Sequence, residues 1–254
     1  MAPPLAPATF LAVLRDEGVT VVEVGDWRDH NRNHMGKWGP VHGVMIHHTV
    51  TSGSARTVAI CRDGHPSLPG PLCHGVITKD GRVHLVGYGR ANHAGLGDDD
   101  VLQAVIAERK LPPDNEANTD GNRHFYGFEC ENLGDGKDPW PEKQLLAIEL
   151  VATALCRKHG WTAASVIRHL DWQPGKVDPR GVDWTAMQAR ITKRLKSKPG
   201  TGTSTYEVRK GDTLSTIAKA KLGDAKRWSE IAKLNGIPAP YVIRVDQRLK
   251  LPKK

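Results

Sequence analysis

Apolar residues along this chain keep two rhythms. Short apolar runs, bounded by glycine, proline or charged residues, occupy 19–24, 41–48, 74–77, 83–86, 126–131 and 165–169, and each reads as a strand. Between them, apolar residues recur at helical spacing over 9–16 (8–17 at its widest), 55–63, 102–107, 141–159 and 184–195. The strongest helix signal is 141–159, where Leu145, Leu146, Ile148, Leu150, Val151 and Leu155 form a stripe, Pro141 stands near the first turn and Gly160 ends it. Strands interleaved with helices imply an α/β domain. Lys79-Asp80-Gly81-Arg82, between two of the strands, predicts a hairpin turn.

The pattern breaks at 196–204, where Gly, Pro, Ser, Thr and Lys displace every large apolar residue, the signature of a linker. This predicts three parts: a domain over 1–195, the linker, and a small module over 205–254, near the lower limit for independent folding. Charge sharpens the division. The net charge of +8 resolves into 20 basic and 23 acidic side chains over 1–192, against 16 and 5 over 193–254. No apolar run approaches the roughly 18 residues a membrane span needs. The first residues lack a basic stretch ahead of their apolar ones, and Arg15-Asp16-Glu17 follows, so they read as a mature N-terminus with no signal peptide. Cys61, Cys73, Cys130 and Cys156 form no C-x-x-C pair and are too sparse for a disulfide scaffold, which leaves open whether Cys61 and Cys73 ever pair.

Three segments bring chemistry together. Two histidines, His47 and His48, end an apolar strand. Another strand ends at His169 and runs into a loop carrying Lys176 and Asp178. Glu129 and Glu131 interrupt a third strand. Singly, each is ordinary. Together they offer imidazole nitrogen and carboxylate oxygen, the donors zinc prefers, at strand ends of an α/β sheet, where ligands converge. H-E-x-x-H is absent, which argues against a helix-borne metalloprotease site.

With these residues in place, the segment 41–195 resembles the zinc-dependent N-acetylmuramoyl-L-alanine amidases, whose fold is shared with peptidoglycan recognition proteins. The resemblance rests on four motifs in order: VMIHHTV around His47, His93-Ala94-Gly95, the strand Gly127-x-Glu129-x-Glu131, and the loop His169-x-x-Trp172-x-Pro174 to Lys176-x-Asp178-Pro179. It implies a mixed central sheet flanked by helices, with His47, His169 and Asp178 as zinc ligands, Glu129 and Lys176 as the catalytic pair, and His74 and His93 lining the substrate groove. His48 then points to the opposite face, since strand side chains alternate. In that setting zinc brings the pKa of bound water to about 7, and Glu129 moves the proton to the leaving amine. Lys176 and Asp178, two apart in extended chain, are expected to face the same way. Some relatives carry a catalytic Tyr where this chain has Cys73, a departure that favours the Glu-plus-Lys version.

The C-terminal segment resembles a LysM module, a small α+β unit of βααβ order, through 206–218, 234–237 and 245–252. That resemblance implies binding of N-acetylglucosamine-containing glycan by two loops, here Gly211, Asp212, Thr213 and Leu214, and Asn235, Gly236 and Ile237. Asp212 or Thr213 caps the helix that follows. Scattered charges with few aromatics argue against nucleic acid and for anionic wall polymers as partner. The combined expectation is a monomeric, phage endolysin-like enzyme, made in the host cytoplasm, acting on the wall after release, without inserting into a membrane. Two alternatives stand beside it. A cysteine-dependent amidase or peptidase would use Cys73 or Cys130, though neither sits in a C-G-x-C-W signature. A non-catalytic recognition protein would be expected to lack a zinc ligand, and all three are present.

Overall fold

The apolar runs become six strands of one sheet in the computed structural model, which describes residues 2–199 and 204–252. They are β1 (Val21–Glu23), β2 (Gly43–His48), β3 (Gly75–Ile77), β4 (Val83–Leu85), β5 (Phe125–Cys130) and β6 (Val166–Arg168), in the spatial order β1-β4-β3-β5-β2-β6. Every neighbouring pair is parallel except the β3–β4 hairpin, whose turn is the Lys79-Asp80-Gly81-Arg82 segment. The sheet is therefore mixed, and each strand lies within two residues of its sequence-based bounds.

Helices α1 (Pro7–Glu17), α2 (Ser54–Asp63), α3 (Asp99–Ile106), α4 (Glu142–His159) and α5 (Trp184–Leu195) complete the unit. Of these, α3 departs most from expectation, beginning three residues early. Asp98 caps it by accepting from the N–H groups of Asp100 and Val101, and Asp99 and Asp100 suit the positive end of the helix. Apolar spacing alone could not register that polar first turn.

Alternation along β2 and β5 divides their side chains between two cores. Val44, Ile46, Tyr126 and Phe128 pack with Phe10 and Leu14 of α1 and with Ile148, Val151 and Leu155 of α4. Met45 and Phe125 face the other way, onto Val101, Leu102 and Val105 of α3 and onto Trp172. Buried on both faces, these central strands show the nearly continuous apolar run typical of parallel sheets. The register pairs Met45 with Gly127 and His47 with Glu129, so the second face carries polar groups just where the two strands end. Residues 2–40, to which the sequence assigned no role beyond a helix and a strand, belong to the first core through Phe10, Leu14 and Trp27.

The chain divides into two compact units at Ser197 and Lys198, and residues 200–203 of the expected linker lie outside the described residues. The second unit consists of β7 (Ser204–Glu207), α6 (Leu214–Leu222), α7 (Trp228–Leu234) and β8 (Arg248–Leu251), with β7 and β8 antiparallel. Its core is formed by Val208, Leu214, Ile217, Ala218, Ile231 and Leu249, among others. Thr213 caps α6 through a reciprocal bond with Thr216. Among the described residues no helix is long and apolar enough to cross a membrane.

Candidate active site

Three side chains converge at the ends of β2 and β6. His47 is the fifth residue of β2, His169 opens the 3-10 turn that follows β6, and Asp178 lies on the loop after that turn. Asp178 Oδ2 lies 3.2 Å from His47 Nδ1 and 3.0 Å from His169 Nδ1. Ligands held about 2.0–2.1 Å from one tetrahedral ion are roughly 3.3–3.4 Å apart, so the spacing fits a single metal ion. Each imidazole uses its other nitrogen elsewhere, His47 Nε2 on His93 Nδ1 and His169 Nε2 on Gln173 Oε1, and turns Nδ1 to the shared point. Burial lowers the His47 pKa to about 4, which keeps a ring nitrogen available as a ligand. Burial opposes ionisation of Asp178, but its contacts with His169 and His47 outweigh this and hold the carboxyl below its usual range.

Glu129 stands beside His47 in the β2–β5 register. Its Oε2 is shut off from solvent and has no hydrogen-bond partner. Burial, with Cys61 and Asp178 nearby, pushes its pKa well up, while Lys176 pulls it down. Lys176 itself is exposed, whereas Asp178 is buried. Residues 176–178 follow the turn at Pro174 and Gly175 without a further turn, and the Lys176 charge acts on both His47 and Glu129.

The loop that carries Asp178 is held at several points. Leu170 N–H donates to Asp178 O, and Arg180 N–H donates to His48 Nδ1. His48, turned away from His47 as alternation requires, thus braces the loop from the opposite side. Trp172 is fully buried and donates from Nε1 to Ala94 O. Glycines 97 and 121 make room for its indole, since a Cβ at either would lie 2.2 or 2.6 Å from the ring. Glu131, the second carboxylate of its strand, accepts from Gly53 N–H, Ser54 Oγ and Lys79 N–H, joining the start of α2 to the hairpin turn. Glu131→Ala leaves these donors without a partner and is expected to cost about 1–3 kcal/mol in denaturant unfolding.

Two expectations for the groove need correction. His74 is fully buried and stacked on Trp38, with Nδ1 accepting from Gly127 N–H and Nε2 donating to Gly89 O. His93 is also buried, with its ring nitrogens on His47 and the Phe125 carbonyl. Neither has a ring nitrogen to offer a substrate. Both lie in the layer beneath His47, which a motif along the chain does not distinguish from a groove wall. Asn122 drew no attention in the sequence, yet its Oδ1 accepts from the N–H groups of both His93 and Ala94.

The thiols offer no competing nucleophile. All four cysteines are free and buried. Burial, with Cys61 alongside, pushes the Cys73 thiol well up, and burial with Glu129 alongside does the same for Cys130. Cys130 faces the helix-covered core, away from His47.

In the second unit, Gly211, Thr213 and Gly236 are exposed, and Asp212 and Ile237 are half-buried. Leu214 is buried in the module's core, so its side chain is no part of a glycan surface. The Asn235 amide is taken up in bracing, donating to Ile231 O and Lys250 O and accepting from Lys250 N–H.

An α/β domain with a convergent His-His-Asp group beside a half-buried glutamate, one of whose carboxylate oxygens is shut off from solvent, is the class of protein that the fold and the site define. Residues 37–181 match the family model described as N-acetylmuramoyl-L-alanine amidase, and residues 206–252 match the LysM domain. The chain belongs to the N-acetylmuramoyl-L-alanine amidase family and carries a LysM domain. It is 31% identical over 172 residues to N-acetylmuramoyl-L-alanine amidase XlyB of Bacillus subtilis (strain 168), covering 63% of this chain and 53% of the relative. XlyA of the same organism is 31% identical over 164 residues, covering 62% and 49%. The chain thus spans about half the length of the curated relatives it matches. Among solved structures, a mutant endolysin from Bacillus subtilis aligns with a TM-score of 0.46 at 19% identity, covering 68% of this chain and 99% of that one.

Proposed function

We propose that this protein is a peptidoglycan hydrolase that cuts the amide between the lactyl group of N-acetylmuramic acid and L-alanine, with zinc held by His47, His169 and Asp178. One observation carries the reading. Within a segment of amidase family sequence, three donors meet at metal-ligand spacing beside a buried carboxylate oxygen that has no partner. When bound, zinc supplies a Lewis acid that acidifies water to near neutrality and polarises the amide carbonyl. Glu129 takes the proton from the attacking water and delivers it to the leaving nitrogen. Burial raises its pKa, which makes it a stronger base toward the attacking water than an ordinary carboxylate. Lys176, at the exposed rim, places positive charge where the carbonyl oxygen becomes negative, a contact of a kind typically worth about 10²–10³ in rate. Mass spectrometry of wall digests tests the assignment. Free muramic lactyl carboxyl groups and free L-alanine amines are expected, and new reducing sugar ends in their place would overturn it.

The LysM module serves in this reading as the anchor. Its net charge, with the adjoining linker, suits anionic wall polymers, and tethering raises the effective concentration of substrate without adding a contact at the catalytic site. The pairing of amidase and anchor supports an endolysin-like life, with synthesis in the host cytoplasm and action at the wall after release. Removing residues 198–254 is expected to leave cleavage of soluble muropeptides intact and to abolish most sedimentation with purified walls.

A further inference from the structure

A line of hydrogen bonds runs from the backbone of β5 to the nitrogen that His47 turns toward the site. It starts at the carbonyl oxygen of Phe125, 3.2 Å from His93 Nε2. A carbonyl oxygen only accepts, so His93 carries its proton on Nε2. The ring is buried, with the rings of His47 and His74 centred 5.2 and 5.8 Å away. In an imidazole with its one proton on Nε2 the Nδ1 is bare, and here it lies 3.1 Å from His47 Nε2, from which it accepts. That leaves a lone pair on His47 Nδ1, facing Asp178 Oδ2.

The direction of this line matters because Asp178 works against it. A carboxylate 3.2 Å from His47 Nδ1 is an acceptor and would draw the imidazole proton onto that nitrogen, where it blocks a metal. His93 draws the same proton to the far side of the ring. We infer that His93 is a positioning residue that sets the tautomer and orientation of His47 as a metal ligand; the inference rests on the zinc reading above. The surroundings of His93 hold it to this task. Asn122 Oδ1 accepts from the N–H groups of His93 and Ala94, both at 2.8 Å. Gly127 leaves the ring its space, since a Cβ there would lie 2.4 Å from His93 Cγ and Nδ1. The glycine of the G-x-E-x-E strand thereby acts on the site through His93.

Zinc affinity and nitrogen NMR of the histidine rings, both on the full chain, test the inference. In the zinc-loaded wild type, His93 is expected to carry its proton on Nε2, with a nitrogen–nitrogen coupling across the hydrogen bond from His47 Nε2 to His93 Nδ1. His93→Phe keeps a ring but loses the acceptor, and is expected to weaken zinc binding about 10–100-fold in competition with a chromophoric chelator. His93→Asn offers Oδ1 near the place of Nδ1 and is expected to recover most of that loss. A proton on His93 Nδ1 in the wild type overturns the role, and that measurement requires no variant to fold. Undiminished affinity in His93→Phe, or equal loss in both variants, also overturns it while leaving the zinc reading standing. A wild type that takes up no zinc overturns the zinc reading and this role with it.

Discussion

Asp178→Ala is expected to abolish both zinc uptake and wall lysis. Asp178 is the only carboxylate among the three convergent donors, and its Oδ2 is the point on which both Nδ1 atoms bear. Without it, no carboxylate remains among the donors to offset the charge of a divalent ion beside the fully buried His47. The loss should exceed the roughly 10–100-fold typical of removing an outer partner. The fold should tolerate the change, because the loop keeps its backbone bonds from Leu170 to Asp178 and from Arg180 to His48. Metal analysis of the purified variant, alongside its thermal melt, checks both statements. Full zinc occupancy would mean that another residue is the third ligand.

Glu129→Gln is expected to do the opposite to the metal and the same to the rate. Glu129 touches none of the three donors by hydrogen bond, so zinc should stay, while turnover falls by about 10²–10⁴, the usual contribution of a positioned general acid–base. Stability should move the other way. A carboxyl whose pKa is raised in the folded protein destabilises the fold as pH climbs past the unfolded value, and the penalty grows until the folded pKa is reached. In the metal-free state the wild type therefore loses stability across that window as pH rises, and the amide does not. Metal-free Glu129→Gln should melt at or above the wild-type temperature near neutral pH and show a flatter pH profile. Near-wild-type turnover would remove Glu129 from the mechanism.

Much of this site was legible in the residues, and what was missed shares one cause. Imidazoles and carboxylates at strand ends, in the order of the amidase motifs, mark His47, His169 and Asp178, and they meet in space. Glu129 stands out as a charge within an apolar strand, and its Oε2 has no hydrogen-bond partner. His74 and His93 were assigned to the groove because motifs locate residues along the chain but not in depth. Asn122 and the bracing role of His48 left no local signal, since each acts on residues 28 to 132 positions away. In the LysM unit, Leu214 and Asn235 belong to motifs that serve the module's own packing as much as any ligand.

By itself, the sequence determined the kinds of element and their order, the break between a near-neutral domain and a basic module, and the donor types available to a metal. These are local properties, carried by spacing, caps and composition over a few residues. Only the tertiary structure decided which imidazole nitrogen faces Asp178, which histidines lie under the site, and that one buried carboxylate oxygen stays unpaired. Hydrogen-bond direction and burial depend on partners far away in the chain. Residues adjacent in sequence, such as His47 and His48, acquire opposite roles once a sheet separates their faces.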